Sequence, residues 1–318
     1  MASLTSRGVR MSAMDRKDFL RLMGIGGVVF ASGLDGFAAP AKAASLVLAS
    51  KDFHFVQLTD THWGYSGAAN PDAAGTLPKA IEAVNALKNQ PDFIVFTGDL
   101  THTTEDGAER RARMGRFKEL VSQLKVKRLY FLPGEHDAGP DQGEAFREFF
   151  GPTHYTFDHG GFHFIALDNV SQPGSKLGEA QLKWLAEDLA RLDKSKPLVV
   201  FAHRPLFDLY PDWDWATLDG GDALALLQPF EHVTVFYGHI HQEHHFMTGQ
   251  IAHHAATSLI FPLPAPGSQP KRAPLPWNPA APYRGLGFRE VDAEARAQSF
   301  FHAGKTSLEL DEIPLRKG

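Results

Sequence analysis

Side chains that can ligate a metal ion follow five short apolar runs in this 318-residue chain. Each run has the composition of a buried strand, and the polar residues begin where the run stops. Carboxylates and imidazoles both offer lone pairs to a cation, so their repeated placement indicates a metal site. Because the sequence contains no cysteine, nitrogen and oxygen atoms must supply the side-chain ligands. The candidate ligands are Asp60, His62, Asp99, Glu135, His203, His239 and His241.

The number and spacing of these residues favour two ions rather than one. Asp60 and His62 are two residues apart, as are His239 and His241, so on extended backbone each pair projects to one side. The set exceeds what one ion can use, and a shared aspartate would bridge two ions about 3.5–4 Å apart. Mixed imidazole and carboxylate ligation favours manganese, iron or zinc over calcium. A lone histidine beside an apolar run is usually structural, but five ordered loops argue against chance.

The elements that must position these ligands alternate between strands and helices. Helical spacing of apolar residues predicts helices around 80–87, 117–124 and 182–192. Such alternation indicates a layered α/β fold, in which the carboxyl ends of parallel strands bring distant loops together. No internal repeat or glycine/serine linker interrupts residues 44–318, which favours one domain. Buried strands are predicted at 53–58, 93–96, 128–132, 162–167, 197–202 and 233–237.

A proline-rich segment at 261–285 carries eight prolines and predicts an extended surface loop before a final strand pair around 286–310. Two interpretations stay open for it: a substrate-recognition loop or a structural wrap. Tyr283 and Arg284 at its end are candidate substrate contacts. Arg204 could face phosphate or serve equally well as a capping or surface residue.

Further histidines and two tryptophans lie near the candidate ligands in sequence. For His102, His154 and His163, structural or exposed roles are the simpler expectation. The tryptophans of 211–218 suit either a cleft rim or, more simply, a hydrophobic patch on a loop.

Five motifs in order, "DTH", "GDL", "PGEHD", "AHRP" and "GHIH", make the sequence similar to the calcineurin-like metallophosphoesterase superfamily. The resemblance covers roughly residues 50 to 245 and is specific in both order and spacing. The segments "TGDLTH" and "GPTHYTFDHGGFHFIALDN" look most like the branch of class III cyclic-nucleotide phosphodiesterases and purple-acid-phosphatase-like enzymes. The resemblance implies an α/β fold, a four-layer α/β/β/α sandwich, with both metals at the strand ends.

The resemblance also implies a role for each ligand. One metal would be held by Asp60, His62 and His241. A second metal would be held by His203 and His239, and Asp99 would bridge the two metals.

One loop departs from the family pattern. The family motif is Gly-Asn-His-Asp or Gly-Asn-His-Glu; its asparagine also binds the second metal, its histidine protonates the leaving group, and its acid orients that histidine. His136 and Asp137 match the last two positions and are the expected catalytic pair, whereas Glu135 replaces the asparagine. A carboxylate there would strengthen metal binding and weaken phosphate binding, which mildly favours a diester monoanion over a monoester dianion.

The implied reaction is hydrolysis of a small-molecule phosphoester. Two metals would lower the pKa of a bridging water, and the resulting hydroxide would attack phosphorus in line. His136 would then protonate the departing alkoxide. The alternative is a non-catalytic metal- or phosphate-binding protein on the same scaffold, with turnover lost through Glu135.

The first 43 residues resemble an export signal. Arg16 and Lys17 precede a glycine-rich apolar stretch and a small-residue cleavage site near Ala43, and "DRKDFLR" is similar to the twin-arginine motif with lysine in the second position. This predicts a periplasmic or secreted protein that is exported by the twin-arginine route and has no stable membrane span after signal removal. An ordinary amphipathic N-terminal helix is the alternative.

Charge limits the partners. Residues 1–43 carry six of the 32 Lys and Arg and three of the 37 Asp and Glu, so residues 44–318 have a formal charge of −8. A net negative surface disfavours binding to duplex nucleic acid or to anionic membranes. No oligomeric state follows from the residues.

Overall fold

The predicted strands form two sheets in the computed structural model, which describes residues 52–295 and 306–316. The first sheet consists of β1 Phe53–Leu58, β2 Phe93–Thr97, β3 Leu129–Leu132, β10 Gly287–Ala295 and β11 Thr306–Pro314. The second consists of β4 Tyr155–His159, β5 Phe162–Ala166, β6 Leu198–Phe201, β7 Val233–Tyr237, β8 His244–Thr248 and β9 Ile251–Ala255. The strand order is β11-β10-β1-β2-β3 in the first sheet and β4-β5-β6-β7-β9-β8 in the second.

The strands that precede the candidate ligands are parallel within each sheet. β1, β2 and β3 pair in parallel, and so do β5, β6, β7 and β9, whereas β10, β11, β4 and β8 pair antiparallel with their neighbours. All six predicted strands are confirmed, as is the final strand pair. The sequence reading missed β4, β8 and β9; β4 and β8 are edge strands with half-exposed or exposed side chains, so they lack the apolar signature of a buried strand.

Helices cover the outer face of each sheet. The helices are α1 Ala73–Asn85, α2 Gly107–Val121, α3 Glu135–Ala138, α4 Glu144–Phe150, α5 Glu179–Leu189 and α6 Gly220–Leu227, with 3₁₀ turns at Gly139–Asp141 and Pro211–Trp213. α1, α2 and α4 pack on the first sheet, and α5 and α6 pack on the second. The three expected helices are confirmed as α1, α2 and α5, each of which ends two or three residues before the predicted segment does.

A phenylalanine-rich layer joins the inner faces of the two sheets. Phe55 stacks on Phe93 with ring centroids 4.9 Å apart, and Phe164 and Phe201 of the second sheet meet Phe55 edge-on. Side chains alternate along each strand, so Phe55 enters this layer while Val56 faces the helices. Both faces are therefore buried, which explains the unbroken apolar runs and confirms the four-layer α/β/β/α sandwich.

Two other expectations concern segments without regular structure. Residues 261–285 contain turns and bends but no helix or strand, as the prolines predicted. The export signal expected at 1–43 lies outside the described residues. No helix in the described ranges is long and apolar enough to cross a bilayer.

Candidate metal centre

The candidate ligands follow the carboxyl ends of strands from both sheets. Asp60 and His62 come after β1 and Asp99 after β2, while His203 comes after β6 and the pair His239 and His241 after β7. Because the phenylalanine layer packs the sheets face to face, these strand ends meet at one edge of the sandwich. The structure brings all seven predicted ligands together there, in three-residue groups whose ligating atoms lie within 4.8 Å of one another.

One group consists of Asp60, His62 and His241, all of them buried. His241 Nε2 lies 3.3 Å from Asp60 Oδ1 and 3.3 Å from His62 Nε2. The other group consists of Glu135, His203 and His239. Glu135 Oε1 lies 2.8 Å from His239 Nδ1, and Oε2 lies 2.9 Å from His203 Nε2.

Asp99 lies between the two groups. Its Oδ2 atom is 3.4 Å from His62 Nε2 in the first group and 3.4 Å from His203 Nε2 in the second. Its Oδ1 atom accepts a hydrogen bond from the His136 backbone N–H at 2.9 Å, which fixes the carboxylate plane. One oxygen is thus placed to serve both groups.

Backbone carbonyls fix the tautomer of three of these histidines. His203 Nδ1 donates to Thr97 O at 2.8 Å, His241 Nδ1 to Phe261 O at 2.9 Å, and His239 Nε2 to Asp214 O at 3.0 Å. A carbonyl oxygen can only accept, so the proton is on the outward nitrogen and the lone pair of the other nitrogen faces the cluster. This arrangement is typical of metal-ligating histidines.

The donor set fits metal ions. Two ligand atoms that each lie about 2.1 Å from a shared ion are about 3.0 Å apart at right angles and about 3.4 Å apart at tetrahedral angles. The observed distances agree: the Glu135 oxygens lie 2.8–2.9 Å from the histidine nitrogens of their group, and His241 Nε2 lies 3.3 Å from its two neighbours in the Asp60 group. Among the described residues, His203 Nε2 and Glu135 Oε2 have no hydrogen-bond partner although both are buried. Two electron-rich atoms that face each other in this way require a cation.

The charges of the cluster favour a cation as well. Burial raises the pKa of Glu135, but the opposing effect of His239 and His203 is larger, so the pKa lies well below its ordinary value. Burial lowers the pKa of His203, but Asp99 and Glu135 outweigh it and hold the pKa well above the ordinary value. Protons and metal ions therefore compete for these lone pairs.

Five of the ligands adopt left-handed backbone conformations that non-glycine residues rarely use. Such conformations cost about 1–3 kcal/mol each and cluster at functional sites, where the surrounding structure holds them. Here two glycines allow the close packing: a Cβ at Gly98 would overlap His203, and one at Gly134 would overlap the Asp99 carboxylate. The five residues are Asp60 (φ 53°), His62 (φ 42°), Asp99 (φ 50°), His239 (φ 65°) and His241 (φ 53°).

The fold and the ligand cluster agree with a comparison against known proteins. The family model described as "Calcineurin-like phosphoesterase" matches residues 53–243, which is more than half of the chain. The chain belongs to this family. It is a metallophosphoesterase, and the family is metal-dependent.

Relatives of this metallophosphoesterase include phosphatases and phosphodiesterases. A serine/threonine-protein phosphatase from Danio rerio is 31% identical over 61% of this chain and 71% of its own length. A protein from Arcobacter nitrofigilis named "Probable glycerophosphodiester phosphodiesterase" is 31% identical over 59% of this chain and 71% of its own length. The structure of a dimetal phosphatase from Danio rerio aligns with a TM-score of 0.56 at 15% identity, covering 83% of this chain and 99% of that one, which supports the fold.

His136 lies beside the phosphoesterase cluster, with its Nε2 4.0 Å from Asp99 Oδ2. Its Nδ1 accepts a hydrogen bond from Thr103 N–H at 3.3 Å, so the neutral ring carries its proton on Nε2, toward the cluster. The ring also stacks on His102, with centroids 4.9 Å apart. His136 can therefore donate from Nε2 to an oxygen bound at the cluster.

Asp137 does not orient His136 as the family motif predicted. Its buried carboxylate accepts hydrogen bonds from the backbone N–H groups of Leu100, Thr101 and Gly134 and from the Thr101 hydroxyl, at 2.8–3.0 Å. Burial, followed by the nearby Asp99 charge, raises the pKa of Asp137 to about 7, while the N–H donors oppose that shift. Asp137 thus fastens the loop after Asp99 to α3, because its carboxylate oxygens accept from the backbone N–H groups of that loop and of Gly134.

Three further histidines and Arg204, whose roles the sequence left open, have defined contacts in the structure. His102 Nδ1 lies 3.2 Å from His62 Nδ1, so the two rings share a proton behind the first ligand group. Arg204 is buried and binds Ser175 and Asp214, which rules out the phosphate contact considered for it. His154 packs on Trp184, and His163 bonds Asp158 and Asp188, so both have structural roles.

The tryptophans of 211–218 are part of the site's support rather than a patch on a loop. Trp213 and Trp215 are buried in a small core with Tyr237 and Ile240. Between them, Asp214 presents the carbonyl that accepts from His239.

Proposed function

We propose that this metallophosphoesterase hydrolyses phosphodiesters or phosphomonoesters with two metal ions. The observation that carries the proposal is the position of Asp99 Oδ2, at 3.4 Å from a histidine of each ligand group. A single ion would need one group only. The shared oxygen and two complete groups instead fit a bridged pair of ions.

The ligand roles follow from the two groups. Asp60, His62 and His241 would hold one ion, His203, His239 and Glu135 would hold the other, and Asp99 would bridge them. When bound, the ions would supply a hydroxide nucleophile near neutral pH and neutralise the phosphoryl oxygens. Manganese, iron and zinc all suit these ligands.

The chain's own residues position the ester and stabilise the leaving group. The Nε2 proton of His136 faces the cluster and can hydrogen-bond to the leaving oxygen. Transfer of that proton to the leaving group would require a second proton on Nδ1, so that a neutral ring remains, and Nδ1 would then give up the contact with Thr103 N–H. Glu135 lowers the positive charge of the site by one unit, which favours a singly charged diester over a doubly charged monoester. Arg272 of the proline-rich segment lies 3.5 Å from His239 Nε2 and supplies a cation at the rim.

The names of two relatives specify a serine/threonine-protein phosphatase and a probable glycerophosphodiester phosphodiesterase. Both support a phosphoester substrate, and the phosphodiesterase supports one of low molecular weight. Both activities use the same cleavage of a P–O bond by water, so they fit one cluster of this kind.

One experiment tests the proposal directly. Purified protein is dialysed, its manganese, iron and zinc are quantified, and hydrolysis of aryl phosphate monoesters and diesters is measured with each metal. We expect two ions per chain and faster hydrolysis of the diester. Fewer than two ions together with no hydrolysis under any metal would contradict the proposal.

We further propose that the protein acts in the periplasm or outside the cell, after export through residues 1–43. The support is the sequence alone: two basic residues, an apolar stretch and a small-residue site precede the catalytic domain. Changing Arg16 and Lys17 together to Gln should retain the protein in the cytoplasm. Export that continued unchanged would remove this part of the proposal.

A further inference from the structure

An apolar cavity of ≈ 490 Å³ lies against the proline-rich segment. This volume is within the range of about 300–1,000 Å³ that small-molecule sites occupy and is far larger than a single water, which takes about 30 Å³. The walls of the cavity include Ala69, Phe261, Leu275, Pro276, Trp277 and Leu286.

Phe261 is the wall that the cavity shares with the metal centre. Its carbonyl accepts the hydrogen bond that fixes His241, at 2.9 Å. Its ring centroid lies 4.9 Å from the His241 ring and 6.1 Å from the His62 ring. A ligand held in the cavity is therefore one aromatic side chain away from the first ligand group.

The proline-rich segment forms the cavity without regular secondary structure. Backbone hydrogen bonds from Leu275 N–H to Pro262 O at 2.9 Å and from Leu286 N–H to Tyr283 O at 3.0 Å fold it back on itself. Since prolines restrict the intervening backbone, the walls are preformed, and little entropy is lost when a ligand binds.

Three polar side chains, those of Trp277, Asn278 and Arg284, lie along the otherwise apolar lining. The indole Nε1 of Trp277 is buried and has no hydrogen-bond partner among the described residues. Arg284 adds a guanidinium at the same cavity. The lining thus suits a mainly apolar group that carries an oxygen acceptor.

We propose that the cavity binds the apolar alcohol portion of a phosphoester whose phosphoryl group lies at the metal centre. This inference rests on the proposed function and specifies its substrate class: esters of alkyl or acyl-bearing alcohols in preference to small polar ones. The proline-rich segment is then the substrate-recognition loop, and Phe261 couples recognition to the ligand His241.

The test uses alkylphosphonic acids, whose phosphonate oxygens replace the phosphoryl group and whose P–C bond is not hydrolysed. Affinities of methyl-, butyl- and hexylphosphonic acid for the metal-loaded protein are measured by calorimetry and by inhibition of aryl phosphate hydrolysis. Each buried methylene should tighten binding roughly fourfold, so hexylphosphonic acid should bind at least 100-fold more tightly than the methyl compound.

A matched pair of variants locates the effect. Ala69→Phe fills the cavity from its wall and should abolish the dependence on chain length, whereas Ala68→Phe, at the exposed neighbouring position, should retain it. If Ala69→Phe does not fold, Ala281→Phe makes the same comparison from another wall. If neither folds, the chain-length series on the unmodified protein decides.

The outcomes separate the inference from the proposed function. Affinity that is independent of chain length, or a dependence that survives in the cavity-filled variant, overturns the cavity assignment even if aryl phosphates are hydrolysed. Tighter binding of the longer chains with no hydrolysis of any ester supports the cavity and counts against the proposed function.

Discussion

Replacing Glu135 with Gln removes one negative charge from the metal centre while preserving side-chain length. In the structure, each carboxylate oxygen faces a histidine nitrogen: Oε1 lies 2.8 Å from His239 Nδ1 and Oε2 lies 2.9 Å from His203 Nε2. An amide keeps one of these oxygens and presents an NH₂ group to the other histidine. The NH₂ group would donate a hydrogen bond to the histidine lone pair that the ion needs. Glutamine therefore competes with the metal and also lacks the negative charge of the carboxylate.

The magnitude follows from burial. Removing one partner of a buried charged pair costs about 3–5 kcal/mol. Because the Glu135 side chain retains 25% exposure, water compensates part of the loss, and the lower end applies. About 3 kcal/mol corresponds to roughly 100-fold weaker binding of the second ion.

Competition with a chromophoric metal indicator resolves the two binding steps and measures both affinities. The matched control is Glu144→Gln, which changes an exposed carboxylate that pairs with Arg111 and should leave both affinities unaltered. Two ions bound with unchanged affinity in Glu135→Gln would refute the assignment of Glu135 as a ligand. A large gain of hydrolysis in Glu135→Asn would instead show that the native glutamate suppresses turnover.

Three further predictions concern the metal ligands, a buried histidine and the layer that joins the two sheets. Asp99→Ala should lose both ions, because it removes the shared oxygen, whereas His241→Ala should keep the ion held by His203, His239 and Glu135. Elemental analysis after dialysis distinguishes one retained ion from none. Burial, followed by the nearby His244, lowers the pKa of His253 to about 4 from 6.5, so the folded state favours the neutral ring. The stability that this ring contributes is present above pH 6.5 and is lost as the pH falls toward 4. The free energy of unfolding in urea should therefore change by about 2 kcal/mol less between pH 7.5 and pH 5 in His253→Asn than in the unmodified protein. Phe93→Ala should lower the free energy of unfolding by about 3–5 kcal/mol, against less than about 0.5 kcal/mol for Leu218→Ala at an exposed position; equal losses would contradict the role of the inter-sheet layer.

Local sequence determined the strands and the ligands that follow them. The apolar runs are continuous because both faces of each sheet are covered, and a ligand that is covalently attached to the end of such a run must lie at the strand end. Asp60 after β1 and His203 after β6 could therefore be predicted without coordinates. The family resemblance extended this prediction to the four-layer fold.

Roles that depend on contacts between distant segments could not be predicted in this way. Asp137 matched a motif position, yet its carboxylate is taken up by the backbone around Leu100, whose N–H is 37 residues away in sequence. Trp213 and Trp215 resembled a surface patch until the packing around Tyr237 buried them. In both cases the partners belong to another part of the chain, and no local pattern encodes which of several donors or apolar surfaces a side chain will meet.

The amino-acid sequence by itself determined which groups can bind metal and the strand ends at which they lie, because residue type and strand alternation are local properties. Only the tertiary structure decided that Asp99 faces both ligand groups, that Glu135 spans two histidines, and that an apolar cavity adjoins the centre at Phe261. Those features depend on how two sheets pack face to face and on left-handed turns that the packed glycines permit, and both are consequences of contacts across the whole domain.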